Sequence, residues 1–192
     1  MKKDIILAGV GGQGILSIAT VIGQAAVANG MYLKQAEVHG MSQRGGDVQS
    51  HLRISDNPIA SDLIPAGKAD LIISVEPMEA LRYLPMLASD GWIITNTEPF
   101  INVPNYPKIE DIEAALKARK NLVAIPAEQI AKDLGFPRSA NMIILGAAAP
   151  YLGLAFEQFE EAIRFIFGRK GDEIVNANIV ALKKGKELAQ GK

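Results

Sequence analysis

One short run constrains this chain more than any other. It is Gly9-Val10-Gly11-Gly12-Gln13-Gly14, set directly after the apolar segment Asp4–Ala8 and before a stretch rich in Ile and Ala. The apolar segment reads as a buried strand. The stretch Gln13–Asn29 reads as a helix closed by Asn29-Gly30. G-x-G-x-x-G between a strand and a helix has a physical meaning that the bare motif lacks. Glycine lets the backbone turn tightly and approach a ligand, and free amides at a helix start favour a phosphate or carboxylate. The same glycines also suit a tight strand–helix crossing that binds nothing. Either way, a strand must run straight into a helix that packs back on it.

The following residues repeat that alternation. Tyr32–Val38, Asp70–Val75, Trp92–Asn96 and Asn121–Ile125 read as further buried strands, being short apolar runs bounded by turn residues. Asp47–Ile54 alternates at Val48, Ser50, Leu52 and Ile54, the pattern of a strand with one exposed face, as at a sheet edge. Helices are expected over Pro77–Ala88, from Ile109 to near Arg119, and over Ala127–Leu134. The last third changes character: Met142–Leu152, Phe156–Phe167 and Asp172–Leu188 all read as helices. These patterns predict an α/β fold with a mostly parallel sheet, helices on both faces and a helical C-terminal third. No Ser/Gly/Pro-rich linker divides the chain. One domain over 1–192 is expected, with residues 127–192 as a helical layer on the core of residues 1–126.

Composition excludes several function classes. Charges nearly cancel, with 20 Lys and Arg against 21 Asp and Glu, so neither a nucleic-acid footprint nor a polybasic membrane surface is expected. There is no cysteine, hence no disulfide and no Cys-ligated zinc or iron–sulfur cluster, and two His make a His-rich metal site unexpected. No apolar run is long enough for a membrane helix, and Asp4 and the glycines interrupt any resemblance to a leader. The expectation is a soluble cytoplasmic protein of ordinary domain size.

A second loop follows the second predicted strand: Glu37-Val-His39-Gly40-Met41-Ser42-Gln43-Arg44-Gly45-Gly46. It can present the Arg44 guanidinium as an anion fork beside the amides of Gly45 and Gly46. It leaves the C-terminal end of a strand, the edge at which doubly wound sheets bind ligands. A structural turn with Arg44 in a surface ion pair is the plainer alternative. Glu37 lies 23 residues beyond Gly14, where a dinucleotide-binding unit holds a ribose hydroxyl. The loop after it is unlike the continuation of a nicotinamide-binding unit. His39 is read as a loop residue and His51 as lying on a surface face. Glu76, Glu79 and Glu98 are candidate acid–base groups, but helix-start carboxylates explain them more simply.

Taken together, Gly9–Gly14, then Glu37–Gly46, then Ser50-His-Leu-Arg-Ile54 resemble the gamma-type subunit of 2-oxoacid:ferredoxin oxidoreductases. Ser139-Ala-Asn141-Met and Leu145-Gly146 resemble a later segment of the same family, so the likeness runs nearly end to end. The form His-Gly-Met-Ser-Gln-Arg-Gly-Gly most resembles members acting on indolepyruvate. The resemblance implies a Rossmann-like domain in a complex that converts a 2-oxoacid and coenzyme A to acyl-CoA, carbon dioxide and reduced ferredoxin. It implies that thiamine diphosphate and the iron–sulfur clusters reside in a large partner subunit, which fits the lack of cysteine here. Carried over, Gly11, Gly12, Gln13 and Gly14 form an anion-facing turn, and Ser42, Gln43, Arg44, Gly45 and Gly46 form its neighbour around coenzyme A. No catalytic residue and no metal ligand is expected in this chain. The two loops are expected to meet because they follow adjacent parallel strands. An isolated subunit keeps an apolar surface, so a homodimer through Phe156–Phe167 is one expectation. Two alternatives remain: a stand-alone nicotinamide-dependent dehydrogenase, and a scaffold without ligand.

Overall fold

The computed structural model describes residues 1–39 and 45–190. Strand β1 (Lys2–Val10) carries apolar side chains on both faces, with Ile5, Ile6, Leu7 and Ala8 fully buried. A strand buried on both faces must lie inside a sheet that is covered twice. Its companions are β2 (Tyr32–His39), β3 (Asp47–Ser55), β4 (Ala69–Ser74), β5 (Leu87–Asn96) and β6 (Leu122–Ile125). They form one sheet in the order β2-β3-β1-β4-β5-β6. β1, β4, β5 and β6 pair in parallel, while β3 runs antiparallel to both β1 and β2. The sheet is therefore mostly parallel, as expected, with one reversed strand.

That reversed strand corrects the expectation of an edge. β3 lies inside the sheet, and β2 forms the edge. The polar face of β3 is covered by its own downstream chain. Buried His51 accepts the Ile64 N–H at Nδ1, at 2.9 Å, and its other ring nitrogen lies 2.8 Å from the Gln49 carboxamide. Arg53 forks onto buried Asp4 of β1, at 2.7 and 3.0 Å, and donates to the carbonyls of Ser61 and Leu63, both at 2.9 Å. Polar alternation signalled exposure because the folding-over of residues 56–68 has no local signature. His51 is thus a buried structural residue rather than a surface one.

Seven helices are described: α1 (Ile15–Ala28), α2 (Pro77–Arg82), α3 (Ile109–Lys117), α4 (Ala127–Asp133), α5 (Ala140–Leu152), α6 (Phe156–Phe167) and α7 (Asp172–Gln190). α2 is shorter than the helix expected over Pro77–Ala88. A 3-10 turn at Leu84–Met86 follows it, and β5 starts at Leu87. Pro85 has no amide hydrogen with which to continue the α-helical hydrogen bonding.

The helices cover both faces. Ala80 of α2 and Ile112 and Leu116 of α3 pack on Ile6, Ile72 and Ile93. On the other face Ile18 and Ile22 of α1, Met142 and Ile144 of α5, Phe159 of α6 and Leu182 of α7 join Ile5, Leu7 and Ile73 in one larger core. α5 is apolar all round, which demands burial on every side. It packs on the sheet and on α1, α4 and α7. Where α5 crosses α7 the backbones touch: a Cβ on Gly146 would lie 1.9 Å from the Leu182 carbonyl oxygen, and one on Gly185 1.9 Å from that of Ile143. The aromatic face of α6, one expectation for a dimer surface, is partly core. Phe159 and Ile163 are fully buried, and exposed Phe165 points away from them. Among the described residues, no helix is long and apolar enough to cross a membrane.

Candidate functional site

The turn after β1 is built from backbone. Gly12 has φ +102° and Gly14 φ +82°, a region that side chains disfavour. The Gln13 side chain closes the turn on itself, its Oε1 accepting the Val10 N–H at 2.8 Å, while the Gln13 N–H donates to the Val10 carbonyl at 3.1 Å. Gln13 thus shapes the turn through its side-chain oxygen. Gly14 starts α1 without a side-chain cap. Asn141 of α5 donates from Nδ2 to the Gly14 carbonyl at 3.1 Å, and a Cβ on Gly14 would meet that nitrogen at 2.5 Å. A Cβ on Gly12 would meet nothing within 4 Å, so Gly12 faces open space and is required only by its φ.

The second loop reaches this turn by a route other than the expected one. β1 and β2 are not neighbours, because β3 lies between them. The contact is made by the end of the loop. Asp47, the first residue of β3, pairs with Val10, the last of β1, which sets Gly45 and Gly46 against Gly11. The Gly11 N–H donates to the Gly46 carbonyl at 2.8 Å and the Gly45 N–H to the Gly11 carbonyl at 3.2 Å. Asn102 Nδ2 also holds the Gly45 carbonyl, at 2.6 Å. The other residues assigned to this loop, Ser42, Gln43 and Arg44, lie outside the described residues, as does Met41.

Two cavities flank the shared glycine turn. One, about 410 Å³, is lined by Gly11, Gly12, Leu16 and Val48, with Glu37 as its charged group. Glu37 stands on edge strand β2, paired with Ser50 of β3. A dinucleotide unit sets its acidic residue on the strand next to β1, so the intervening β3 removes the geometry of a ribose clamp. The other cavity, about 690 Å³, opens at the C-terminal ends of the parallel strands. Gly12, Gln13 and Gly45 form one wall, Val75 and Asn96 the floor, and α4 and the start of α5 the far side, with Glu128, Lys132 and Arg138. This is the switch point of the sheet, where the chain leaving β1 turns towards β2 and the chain leaving β4 turns towards β5.

The three carboxylates considered for acid–base work are structural. Buried Glu76 caps α2 through the Glu79 N–H at 2.8 Å and accepts the Phe100 N–H at 3.2 Å and the Tyr106 hydroxyl. Burial first, and then this carboxylate, pushes the Tyr106 phenol well above its usual range. Glu98 accepts the Glu128 and Gln129 amides at the start of α4, at 2.6 and 3.1 Å. Glu79 has its pKa raised by burial and is held by Arg82 at 2.7 Å. Sequence reasoning missed Lys132 and Arg138 altogether. They are ordinary exposed cations far from any glycine motif, and only the fold carries them to the turn.

A family model described as pyruvate ferredoxin/flavodoxin oxidoreductase matches residues 4–188. The chain is 38% identical to the indolepyruvate oxidoreductase subunit IorB of Archaeoglobus fulgidus, covering 96% of this chain and 94% of that protein. It is 36% identical to the subunit of the same name from Methanothermobacter thermautotrophicus, covering 96% of each. In structure it is similar to the gamma subunit of a keto/oxoacid ferredoxin oxidoreductase from Geobacter sulfurreducens, with TM-score 0.74, 24% identity and 99% of each chain covered. It is also similar to a 2-oxoglutarate:ferredoxin oxidoreductase from Magnetococcus marinus with 2-oxoglutarate, coenzyme A and succinyl-CoA bound, with TM-score 0.78 and 22% identity. All of this chain is covered there, but it spans only 31% of that longer chain. With the match running from the first strand to the last helix, the chain belongs to the pyruvate ferredoxin/flavodoxin oxidoreductase family.

Proposed function

We propose that the chain is the cluster-free subunit of a cytoplasmic 2-oxoacid:ferredoxin oxidoreductase, with indolepyruvate or a related aryl 2-oxoacid as substrate. In this reading it works with a large subunit holding thiamine diphosphate and iron–sulfur clusters, and the complex yields acyl-CoA, carbon dioxide and reduced ferredoxin. This chain contributes the docking of coenzyme A and part of the assembly. The observation that carries the reading is the near full-length likeness to subunits named for indolepyruvate oxidoreductase. The docking role draws support from the turn itself, where Gly12 lines the larger cavity at positive φ and the uncapped start of α1 at Gly14 favours phosphate, while the Gly11 and Gly45 amides are spent tying the two loops together. The stand-alone dehydrogenase is disfavoured by β3, which separates Glu37 from β1.

The test uses the complex reconstituted with its large subunit. Arg44→Ala is expected to raise the coenzyme A KM by roughly 10- to 100-fold, or about 1.5–3 kcal/mol, the scale of one charge-assisted hydrogen bond. Gly12→Ala is expected to impair binding through its φ of +102° rather than through crowding within the fold. Arg44→Lys restores the charge without the planar fork and is expected to rescue only in part. An unchanged coenzyme A KM in both Arg44→Ala and Gly12→Ala leaves the scaffold reading in place of this one.

A further inference from the structure

The larger cavity has a feature that the glycine turn does not explain. Lys132 stands in the last turn of α4, and Arg138 lies just before α5. Both line the cavity opposite Gly12 and Gln13. Among the described residues neither makes an ion pair or a side-chain hydrogen bond, whereas Arg53 and Arg82 are both paired. Glu128, one helical turn before Lys132, shares the cavity and forms no ion pair with it, so the three side chains leave a net positive wall. The start of α5 adds to it: Ser139 is the N-cap and makes no side-chain cap bond. The neighbouring helix start, at α4, is already satisfied by Glu98. One cavity thus offers two anion-binding elements of different kinds, a backbone turn on one wall and two cationic side chains on the other.

We propose that the larger cavity is a two-point anion site, in which the glycine turn takes a diphosphate and Lys132 and Arg138 take the separate 3′-phosphate of coenzyme A. The division follows from charge. A diphosphate diester spreads its charge over a chain of oxygens that backbone amides at a helix start match well. A terminal phosphate monoester carries nearly two negative charges and gains more from an ammonium beside a guanidinium. Lys132 and Arg138 are then specificity residues that distinguish coenzyme A from its 3′-dephospho form. This rests on the coenzyme A reading above.

The reconstituted complex is assayed with coenzyme A and with 3′-dephospho-coenzyme A, comparing wild type with the double variant Lys132→Gln/Arg138→Gln. Both side chains are exposed, and an unchanged melting temperature certifies the fold of the variant. Wild type is expected to prefer coenzyme A by about tenfold or more in kcat/KM, and the double variant to lose that preference. The inference is overturned if wild type does not discriminate, or if the ratio is the same in the variant, including an equal loss with both ligands. Arg44→Ala and Gly12→Ala, run alongside, separate the two failures. If they raise the coenzyme A KM while the ratio stays fixed, only the Lys132–Arg138 assignment fails. If they too change nothing, the docking role itself fails.

Discussion

Gly146→Ala, like Gly185→Ala across the same crossing, sets an added methyl directly against backbone. In most helices the substitution is favourable, by about 1 kcal/mol, because alanine restricts the unfolded chain and is the better helix former. Here the added methyl would lie 1.9 Å from the Leu182 carbonyl oxygen and 2.8 Å from its carbon. A relaxed carbon–oxygen contact needs about 3.3 Å, so α5 and α7 must part by roughly 1.4 Å. No rotamer can relieve the clash, since both partners are backbone or directly attached to it. Parting the helices loosens packing around Ile143, Ala147 and Leu182, all buried. Overpacking of this kind costs about 3 kcal/mol, the upper end of the usual range, which leaves about 2 kcal/mol of net destabilisation after the propensity gain. For a chain of this size that is a fall in Tm of roughly 4–8 °C. Gly168→Ala serves as control, because its Cβ would meet nothing within 4 Å and its φ is −54°. Thermal unfolding of the two variants beside wild type should show Gly146→Ala well below and Gly168→Ala level or slightly above. A Gly146→Ala protein as stable as wild type would refute the argument from the helix crossing.

Two further outcomes are expected from the buried polar face of β3. Arg53→Met leaves the Asp4 carboxylate buried and without its fork, which should destabilise by about 3–5 kcal/mol, read as a lowered urea midpoint. Lys2, on the exposed side of Asp4 at 2.8 Å, is expected to recover only part of that. His51 has its pKa lowered below 6.5 by burial first and by Arg53 second. Because the folded state binds its proton less readily than the unfolded chain, stability from this group is full above pH 6.5 and is lost as pH falls below it. Between pH 7.5 and 5.5 the Tm of wild type should therefore fall more steeply than that of His51→Gln, and parallel curves would contradict the assignment.

How much was legible in the sequence differs between fold and site. The alternation of strand and helix, the glycine turn and the helical tail were readable because each rests on local chemistry: periodic burial, glycine at positive φ, apolar runs bounded by turn residues. Local chemistry also marked Glu76 and Glu79 as acids at the start of a helix, whereas Glu98 caps the start of α4 across 30 residues of chain. Strand order was not local. Nothing within Asp47–Ser55 states that it inserts between β2 and β1, since an inner strand roofed by residues 56–68 alternates just as an edge strand does. Asn141 stood out by resemblance, but its bond to Gly14 crosses 127 residues of chain. Lys132 and Arg138 carry no signal at all, as exposed cations near helix ends are commonplace. Which elements form and where the backbone can turn depend on neighbours along the chain, and so could be read from its residues. Which residues face the glycine turn depends on how β3 inserts and how closely α5 can approach α7, where Gly146 and Gly185 let the backbones touch, and that is settled only once the chain has folded.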